Sequence, residues 1–443
     1  MKVIVEPGSI SGAIAAPSSK SITQRAYAAA LLHKGTTIIH HAGNSDDEQA
    51  ALEIIQQLGA KITDTSIGVP HLKNVWDPSD TFSLPLTIKS EGINPISGHI
   101  NCRESGLSAR LFTPIAAICG NEIRIDGTGS LLKRHLDGFL ETLPALGIGI
   151  PGFTGYLPFS VQGPLQARSV KVNAAGGSQF LSGLLFALSG CATEPITISV
   201  TGLKSKPYID LTLGILSHFG KPIKHNNYRE FYIDPAIFVN KETIEINIAG
   251  DWSSAAFMLV AGALAGNISV TNLNFNSKQA DKAIIDVLKN AGAEMAITDN
   301  SVTVKSSFLQ PFEFDATHCP DLFPILAVLA TCCNGESCIK GVHRLFNKES
   351  NRVASIADML WDFQVPFSME DDTLSISGQG FFQGTRIDSQ DDHRIVMAAA
   401  IAALRANGPV EISNAIAINK SYPDFFKDLI LCGGNCTFIN EEE

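Results

Sequence analysis

Lysine and arginine number 33 against 44 acidic residues, for a net charge of -11, yet many of these cations gather in a few short stretches. The first is PSSKSITQR, Pro17 to Arg25, with three serines, a threonine, Lys20 and Arg25, directly ahead of the apolar run AYAAALL, Ala26 to Leu32. Hydroxyl residues before such a run mark a helix N-terminus. Unpaired backbone N–H groups and the positive end of the helix dipole already favour anions there. Lys20 and Arg25, about one turn apart, complete an anion cradle. Taken alone, the stretch reads equally well as a capped surface helix with two solvated cations. Its recurrence favours the cradle.

Five more openings are built the same way: RESGLSAR (103–110), AGGSQFLSG (175–183), GDWSSAAF (250–257), CPDLFP (319–324) and DDHRIVMAA (391–399). The ionisable residues at or near them are Lys20, Arg25, Arg110, Lys133, Arg134, Lys206, Asp251, Asp321, Lys348, Glu349, Arg352, Asp391, Asp392, Arg394 and Lys420. An acidic chain that concentrates its cations this way is suited to a multiply anionic ligand pair, with carboxylates at hand for proton transfer. Lys348 and Arg352 read as i,i+4 neighbours on a helix with Glu349 between them, a pattern a salt-bridged surface would also give. Other chemistries are missing. There is no GxxxxGK[ST], no GxGxxG after a strand and no HExxH, so neither a nucleotide nor a catalytic zinc is expected. Ser178 and Ser182 have no histidine nearby for triad chemistry. His393, the one histidine inside an opening, reads as structural.

The elements that must carry these residues repeat. Markers Ser18, Glu104, Gly176, Gly250, Cys319 and Asp391 recur at intervals of roughly 70 residues, too long for a solenoid and right for a small αβ unit. Each unit predicts a small-residue apolar helix, a β-branched strand (TTIIHH, IRID, PITISV, ISVTNL, CIKGV, VEISNA) and an amphipathic helix. Five of the six amphipathic helices are followed by glycine, the sixth by Gln364. The first helices, apolar nearly all round, belong inside their domains with sheets outside. Six units divide most simply three and three. The expected domains are 19–247, and 1–18 plus 248–443, with a boundary in the polar stretch around Lys241 to Asn247 and the site in the cleft between the domains. In 443 residues, 45% are apolar and 17% charged, an ordinary globular composition with room for large cores. The acidic balance argues against nucleic acid and anionic membranes. The start, MKVIVEPGSI, reads as a strand and not a signal peptide, and no stretch is apolar enough to span a bilayer. Nine scattered cysteines suit a reducing cytosol. Cys432 and Cys436 lack a second Cys/His pair, so no structural metal is expected.

PSSKSITQR, GGSQFLSGLL, SKPYIDLTL, GDWSSAAF, CPDLFP, NKESNR, DDHRIVMAAA and KSYPDFF, in that order from Pro17 to Phe426, resemble the signatures of the enolpyruvyl transferase family. The closer match is its EPSP synthase (3-phosphoshikimate 1-carboxyvinyltransferase) branch. The resemblance implies an α/β fold of two domains, each of three βαβαββ-type units with buried helices and outer sheets. It implies transfer of the enolpyruvyl group of phosphoenolpyruvate to the 5-hydroxyl of shikimate 3-phosphate, in the chorismate and aromatic amino acid route that glyphosate blocks. No metal or organic cofactor is implied, and a cytoplasmic monomer is expected. By position, Ser21, Arg25, Ser178, Gln179, Ser205, Tyr208, Asp321 and Lys348 would meet shikimate 3-phosphate. Gly106, Arg134, Gln179, Glu349, Arg352, Arg394 and Lys420 would meet phosphoenolpyruvate, and Lys20 both substrates. Asp321 would take the hydroxyl proton, with Glu349, Lys348 and Lys20 completing the catalytic set.

Four positions depart from the commoner pattern of that branch. Glu104 would repel the enol substrate unless it pairs, for which Arg103 and Arg110 are the candidates. Gly177 replaces a serine, and Arg344 stands where some members have an asparagine, with Asn347 the nearest carboxamide. Asn351 replaces an aspartate and reads as a helix-surface change. The sister UDP-N-acetylglucosamine 1-carboxyvinyltransferases usually carry a loop cysteine, which DGTGSLLKRHLD lacks. A non-catalytic anion-binding relative is opposed by the presence of Lys20, Arg25, Asp321, Lys348 and Glu349.

Overall fold

The computed structural model describes residues 1–63 and 85–439. The chain forms two compact units, Ser18–Ala249 and Met1–Pro17 with Gly250–Glu443. Each has its own hydrophobic core.

Ser18–Ala249 holds helices α1 (Lys20–Leu32), α2 (Asp46–Gln57), α3 (Gly106–Ala116), α4 (Phe139–Ala145), α5 (Gln179–Cys191) and α6 (Lys206–His218). The other unit holds α7 (Trp252–Ala265), α8 (Ile284–Asn290), α9 (Phe323–Thr331), α10 (Arg352–Asp362), α11 (His393–Ala403) and α12 (Phe425–Leu431). Odd-numbered helices start at the six openings. Their alanine- and leucine-rich sequences leave no polar face to turn outward. Every residue of α3, α7, α9 and α11 is buried. Helices α3 and α5 pack with backbone almost touching: a Cβ on Gly183 would lie 2.5 Å from the Arg110 carbonyl oxygen.

Among the described residues six small sheets surround these helices, three per unit, all on one plan. The β-branched strand after each odd helix is Gly35–His40, Glu122–Asp126, Ile196–Thr201, Gly266–Thr271, Glu336–Lys340 or Val410–Ser413. Each pairs parallel with one neighbour and antiparallel with another. In four sheets the parallel partner directly precedes the odd helix, giving the helix crossover that parallel strands need. In the first sheet of each unit it comes from elsewhere: Thr243–Asn247 beside Gly35–His40, and Ile10–Ala15 beside Gly266–Thr271. The stretch read from sequence as a polar boundary is therefore a strand of the first sheet. Lys2–Val5 pairs with Val410–Ser413.

All six even helices end alike. Residues Gly59, Gly147, Gly220, Gly292, Gln364 and Gly433 have left-handed φ between 57° and 111°. In each case the next N–H bonds back across the turn, as in Ala60 to the Ile55 carbonyl and Val365 to the Leu360 carbonyl. These are Schellman closures, and Gln364 makes one without being glycine. Among the described residues no helix is long and apolar enough to cross a membrane.

Candidate active site

The openings place the expected residues in two clusters, one in each unit. In the unit that contains Gly250 onward, the cluster centres on Arg352, the first residue of α10, whose side chain is 0% exposed. Its Nε donates to Asp392 Oδ2 at 2.7 Å, Nη1 to Asp321 Oδ1 at 2.6 Å and Nη2 to Glu349 Oε2 at 2.6 Å. Lys348 Nζ reaches Asp321 Oδ1 at 3.2 Å, and Arg394 Nη2 reaches Asp321 Oδ2 at 3.3 Å. Asp392 caps α11 by accepting from the Arg394 N–H at 2.9 Å, so one carboxylate both starts the helix and holds Arg352. Lys420 Nζ donates to the Asp391 carbonyl at 2.8 Å.

Asp321 keeps 25% of its side chain exposed at the edge of this network. Burial opposes its ionisation, but Lys348, Arg394 and Arg352 together hold it well below the usual carboxylate range. Arg352 moves the other way: burial is overcome by Asp392, Glu349 and Asp321, which hold it well above the usual arginine value. Lys348 lies below the ordinary lysine value. Burial lowers it most and prevails over the raising pull of Asp321 and Glu349, with Arg352 and Arg344 adding to the fall. Lys348 and Glu349 are not on the helix with Arg352, as the i,i+4 spacing suggested. They lie in the bend before it, free of helical phase, so both can turn toward Asp321 and Arg352.

The cluster in Ser18–Ala249 is different. Arg25, 1% exposed, donates from Nε to Thr212 Oγ1 at 2.9 Å, from Nη1 to the Ser21 carbonyl at 2.8 Å and from Nη2 to Ser182 Oγ at 3.5 Å. Its Cζ lies 6.0 Å from the Tyr208 ring centre. Burial, partly offset by Tyr208, pulls its pKa down to about 10. Lys20 pairs with Asp47 at 2.9 Å. Gln24 Oε1 accepts from Ser105 Oγ at 3.2 Å and Ser108 Oγ at 3.1 Å, which ties α1 to the start of α3. Gly106 is α3's first residue, and a Cβ there would lie 2.7 Å from Arg134 Cζ. Arg110 reaches the His135 carbonyl at 2.7 Å and Gln179 Oε1 at 3.5 Å. Ser178 is the N-cap of α5, and Ser205, at φ 52°, that of α6.

The hydroxyls of the openings do not all act as sequence suggests. Side-chain capping is made by Ser105, Asp251 and Asp392, whereas Ser19 and Ser178 make no side-chain cap. Glu104 accepts from the Ser130 N–H and hydroxyl at 3.0 and 2.8 Å, and Arg103 turns to Glu53 at 2.6 Å. Gly177 sits at φ 135°, where a side chain would be strained. Asn351 is the N-cap residue of α10 and not a helix-surface position. Arg344 Nε donates to the Thr317 carbonyl at 3.3 Å. Lys206 packs over the Tyr228 ring at 5.6 Å. Sequence reasoning passed over Thr212, Gln24 and Asp47, and weighed Ser182 only for triad chemistry. Thr212 and Ser182 sit on apolar helices where a hydroxyl gives no signal of its own, while the acidic first turn of α2 could have pointed to Asp47.

The family whose sequence profile matches residues 4–429 is described as EPSP synthase (3-phosphoshikimate 1-carboxyvinyltransferase). A 3-phosphoshikimate 1-carboxyvinyltransferase of Clostridium novyi is 35% identical over 97% of this chain and 96% of its own. One from Thermococcus kodakarensis is 35% identical over 96% of this chain and 99% of its own. Among solved structures, an EPSP synthase of Acinetobacter baumannii shares the fold at a TM-score of 0.79 and 24% identity, over 99% of this chain and 100% of that one. The enolpyruvyl transferase NikO of Streptomyces tendae shares it at 0.74 and 15% identity, over 98% of both chains. By the span and identity of these matches, this chain belongs to the EPSP synthase family.

Proposed function

We infer that this chain transfers the enolpyruvyl group of phosphoenolpyruvate to the 5-hydroxyl of shikimate 3-phosphate, releasing phosphate. The observation that carries the reading is Asp321: a part-exposed carboxylate gripped by Lys348, Arg352 and Arg394. The hydroxyl attacks C2 of the enol while C3 takes a proton, and the tetrahedral adduct then loses phosphate from C2 and a proton from the C3 methyl, which restores the double bond. Asp321 accepts the hydroxyl proton. Glu349 and Lys348 serve the proton transfer at C3. Lys20, Gly106, Arg134, Gln179, Arg352, Arg394 and Lys420 hold phosphoenolpyruvate. Lys20, Ser21, Arg25, Ser178, Gln179, Ser205 and Tyr208 hold shikimate 3-phosphate, along with Asp321 and Lys348. On this reading residues of both units act on one substrate pair, since each unit supplies only part of the set.

With its three cations in place, Asp321 is a weak base. Substrate phosphates and carboxylates that draw those cations raise its proton affinity as they bind, so base strength arrives with the substrates. The enzyme works as a cytoplasmic monomer on small molecules, without metal or cofactor. The test is phosphate release from phosphoenolpyruvate offered with shikimate 3-phosphate or with UDP-N-acetylglucosamine. Release with the first acceptor alone is expected. Release only with the second, or with neither, overturns the reading.

A further inference from the structure

Asp281 takes no part in the roles assigned above. It sits on the 3-10 turn Ala280–Ala283 ahead of α8 and is fully buried. The hydroxyl of Ser253, in the first turn of α7, donates to its Oδ2. Its Oδ1 is buried with no hydrogen-bond partner among the described residues. The charged groups whose fields reach it come from three other elements: Asp321 ahead of α9, Arg394 in the first turn of α11 and Asp251 at the N-cap of α7. The Cys319 thiol nearby is pushed up by burial and adds no charge. Arg394 has the complementary deficiency. Its Nε and Nη1 are buried without a hydrogen-bond partner among the described residues, while Nη2 reaches Asp321. A buried acceptor and buried donors left unmatched in one electrostatic neighbourhood call for water or ligand to complete their bonds.

We propose that Asp281 is a positioning residue that sets how much of Arg394's charge is available to phosphoenolpyruvate, a role that rests on the enzymatic reading above. Burial, with the Asp321 carboxylate next, pushes the Asp281 carboxyl up to about 7, while Asp321 lies well below the ordinary value. Two neighbouring carboxyls are thus driven apart. Below about pH 7 Asp281 is neutral, and of these two carboxyls only Asp321 draws on Arg394. Above it a second buried carboxylate competes for the guanidinium, and the enol substrate binds more weakly.

The test compares KM for phosphoenolpyruvate from pH 6 to 8.5 in the wild type and Asp281→Asn. The ratio of the two cancels the substrate's own titration. That ratio should climb by about fivefold across neutrality; a ratio independent of pH overturns the proposal. Ser253→Ala removes a bond to the charged form, so it should move the wild-type transition to higher pH, and an unmoved transition also counts against the idea. This variant serves if Asp281→Asn does not fold. Urea denaturation reads the same titration without substrate. A carboxyl raised above its unfolded value leaves the wild type less stable than Asp281→Asn by an amount that grows from about pH 4 to about pH 7 and stays constant above. A gap that does not grow shows an ordinary carboxyl and overturns the proposal. A wild type that never releases phosphate defeats the enzymatic reading and the proposal with it, a different result from an active enzyme with a flat ratio.

Discussion

Arg25 and Arg352 are equally buried, at 1% and 0% exposure, and are treated in opposite ways. Arg352 is enclosed by Asp392, Asp321 and Glu349. Arg25 is held by two hydroxyls and a backbone carbonyl, all neutral. The pKa directions follow: Arg352 rises and Arg25 falls to about 10. Neutral acceptors fix the position of Arg25 without cancelling its charge, so the charge remains for an arriving anion. At Arg352 carboxylates already surround the charge, and its hydrogen bonds fix Asp321 and Glu349 in place. One repeated backbone thus carries one buried arginine held by neutral acceptors and one held by carboxylates.

The sharpest way to break this contrast is Asp321→Asn. It should lower kcat by about 10³-fold through loss of the base. Shikimate 3-phosphate affinity should stay within about tenfold, since the substitution removes a base but keeps the side chain's shape. Stopped-flow turnover with equilibrium binding decides it, and activity within threefold of wild type removes Asp321 as the base.

The paired substitutions Arg352→Gln and Arg25→Gln test the contrast itself. Arg352→Gln strands three carboxylates, one of them fully buried, and should cost about 3–5 kcal/mol of stability. Arg25→Gln removes a buried charge that has no carboxylate partner among the contacts described above. It should leave Tm level or higher while weakening shikimate 3-phosphate by about 30-fold or more. Calorimetric melting and ligand titration of both variants are the measurements. Equal losses of stability would show that the two arginines are not handled differently.

Gly106→Ala has a smaller expected effect. The added methyl meets the buried Arg134 guanidinium, which must shift. The KM for phosphoenolpyruvate and the Ki for glyphosate should rise by about tenfold, with shikimate 3-phosphate within twofold. Equal change in all three ligands would take Gly106 and Arg134 out of the enol subsite.

The repeat was legible in sequence because the units state it three ways: a polar opening, a small-residue apolar helix and, in five of the six, a glycine after the second helix. All six opening helices begin where those residues place them. The candidate cations and Asp321 were legible because charge is scarce in this chain. The partners of Arg25 were not, because Thr212 and Ser182 become acceptors only when α5 and α6 bring them to α1. Lys348 and Glu349 were misplaced onto a helix because i,i+4 spacing has no helical meaning in a bend. Thr243–Asn247 read as a boundary because a polar edge strand completing a sheet begun two hundred residues earlier leaves no local signal.

The smallest effect tests the sameness of the two units. Six Schellman closures have one geometry, but five use glycine and the sixth uses Gln364 at φ 57°. An L-residue in this conformation costs about 1–2 kcal/mol relative to right-handed backbone, and glycine escapes that cost. Glycine gives some of this back, since its unfolded chain is more flexible, by about 0.5–1 kcal/mol. The Gln364 side chain is exposed, so its loss should sacrifice little packing. Gln364→Gly should therefore stabilise the protein by about 0.5–1 kcal/mol. The reverse substitution has two grades. A Cβ on Gly292 meets nothing nearer than 3.9 Å, so Gly292→Ala should cost only the backbone term of about 1 kcal/mol. A Cβ on Gly59 would lie 2.4 Å from the Asn94 carbonyl oxygen, so Gly59→Ala should cost clearly more. Urea midpoints for the three variants should fall in that order, Gln364→Gly above wild type, then Gly292→Ala, then Gly59→Ala. A Gln364→Gly protein no more stable than wild type would mean that this turn is held by something other than the backbone closure shared by the six repeats.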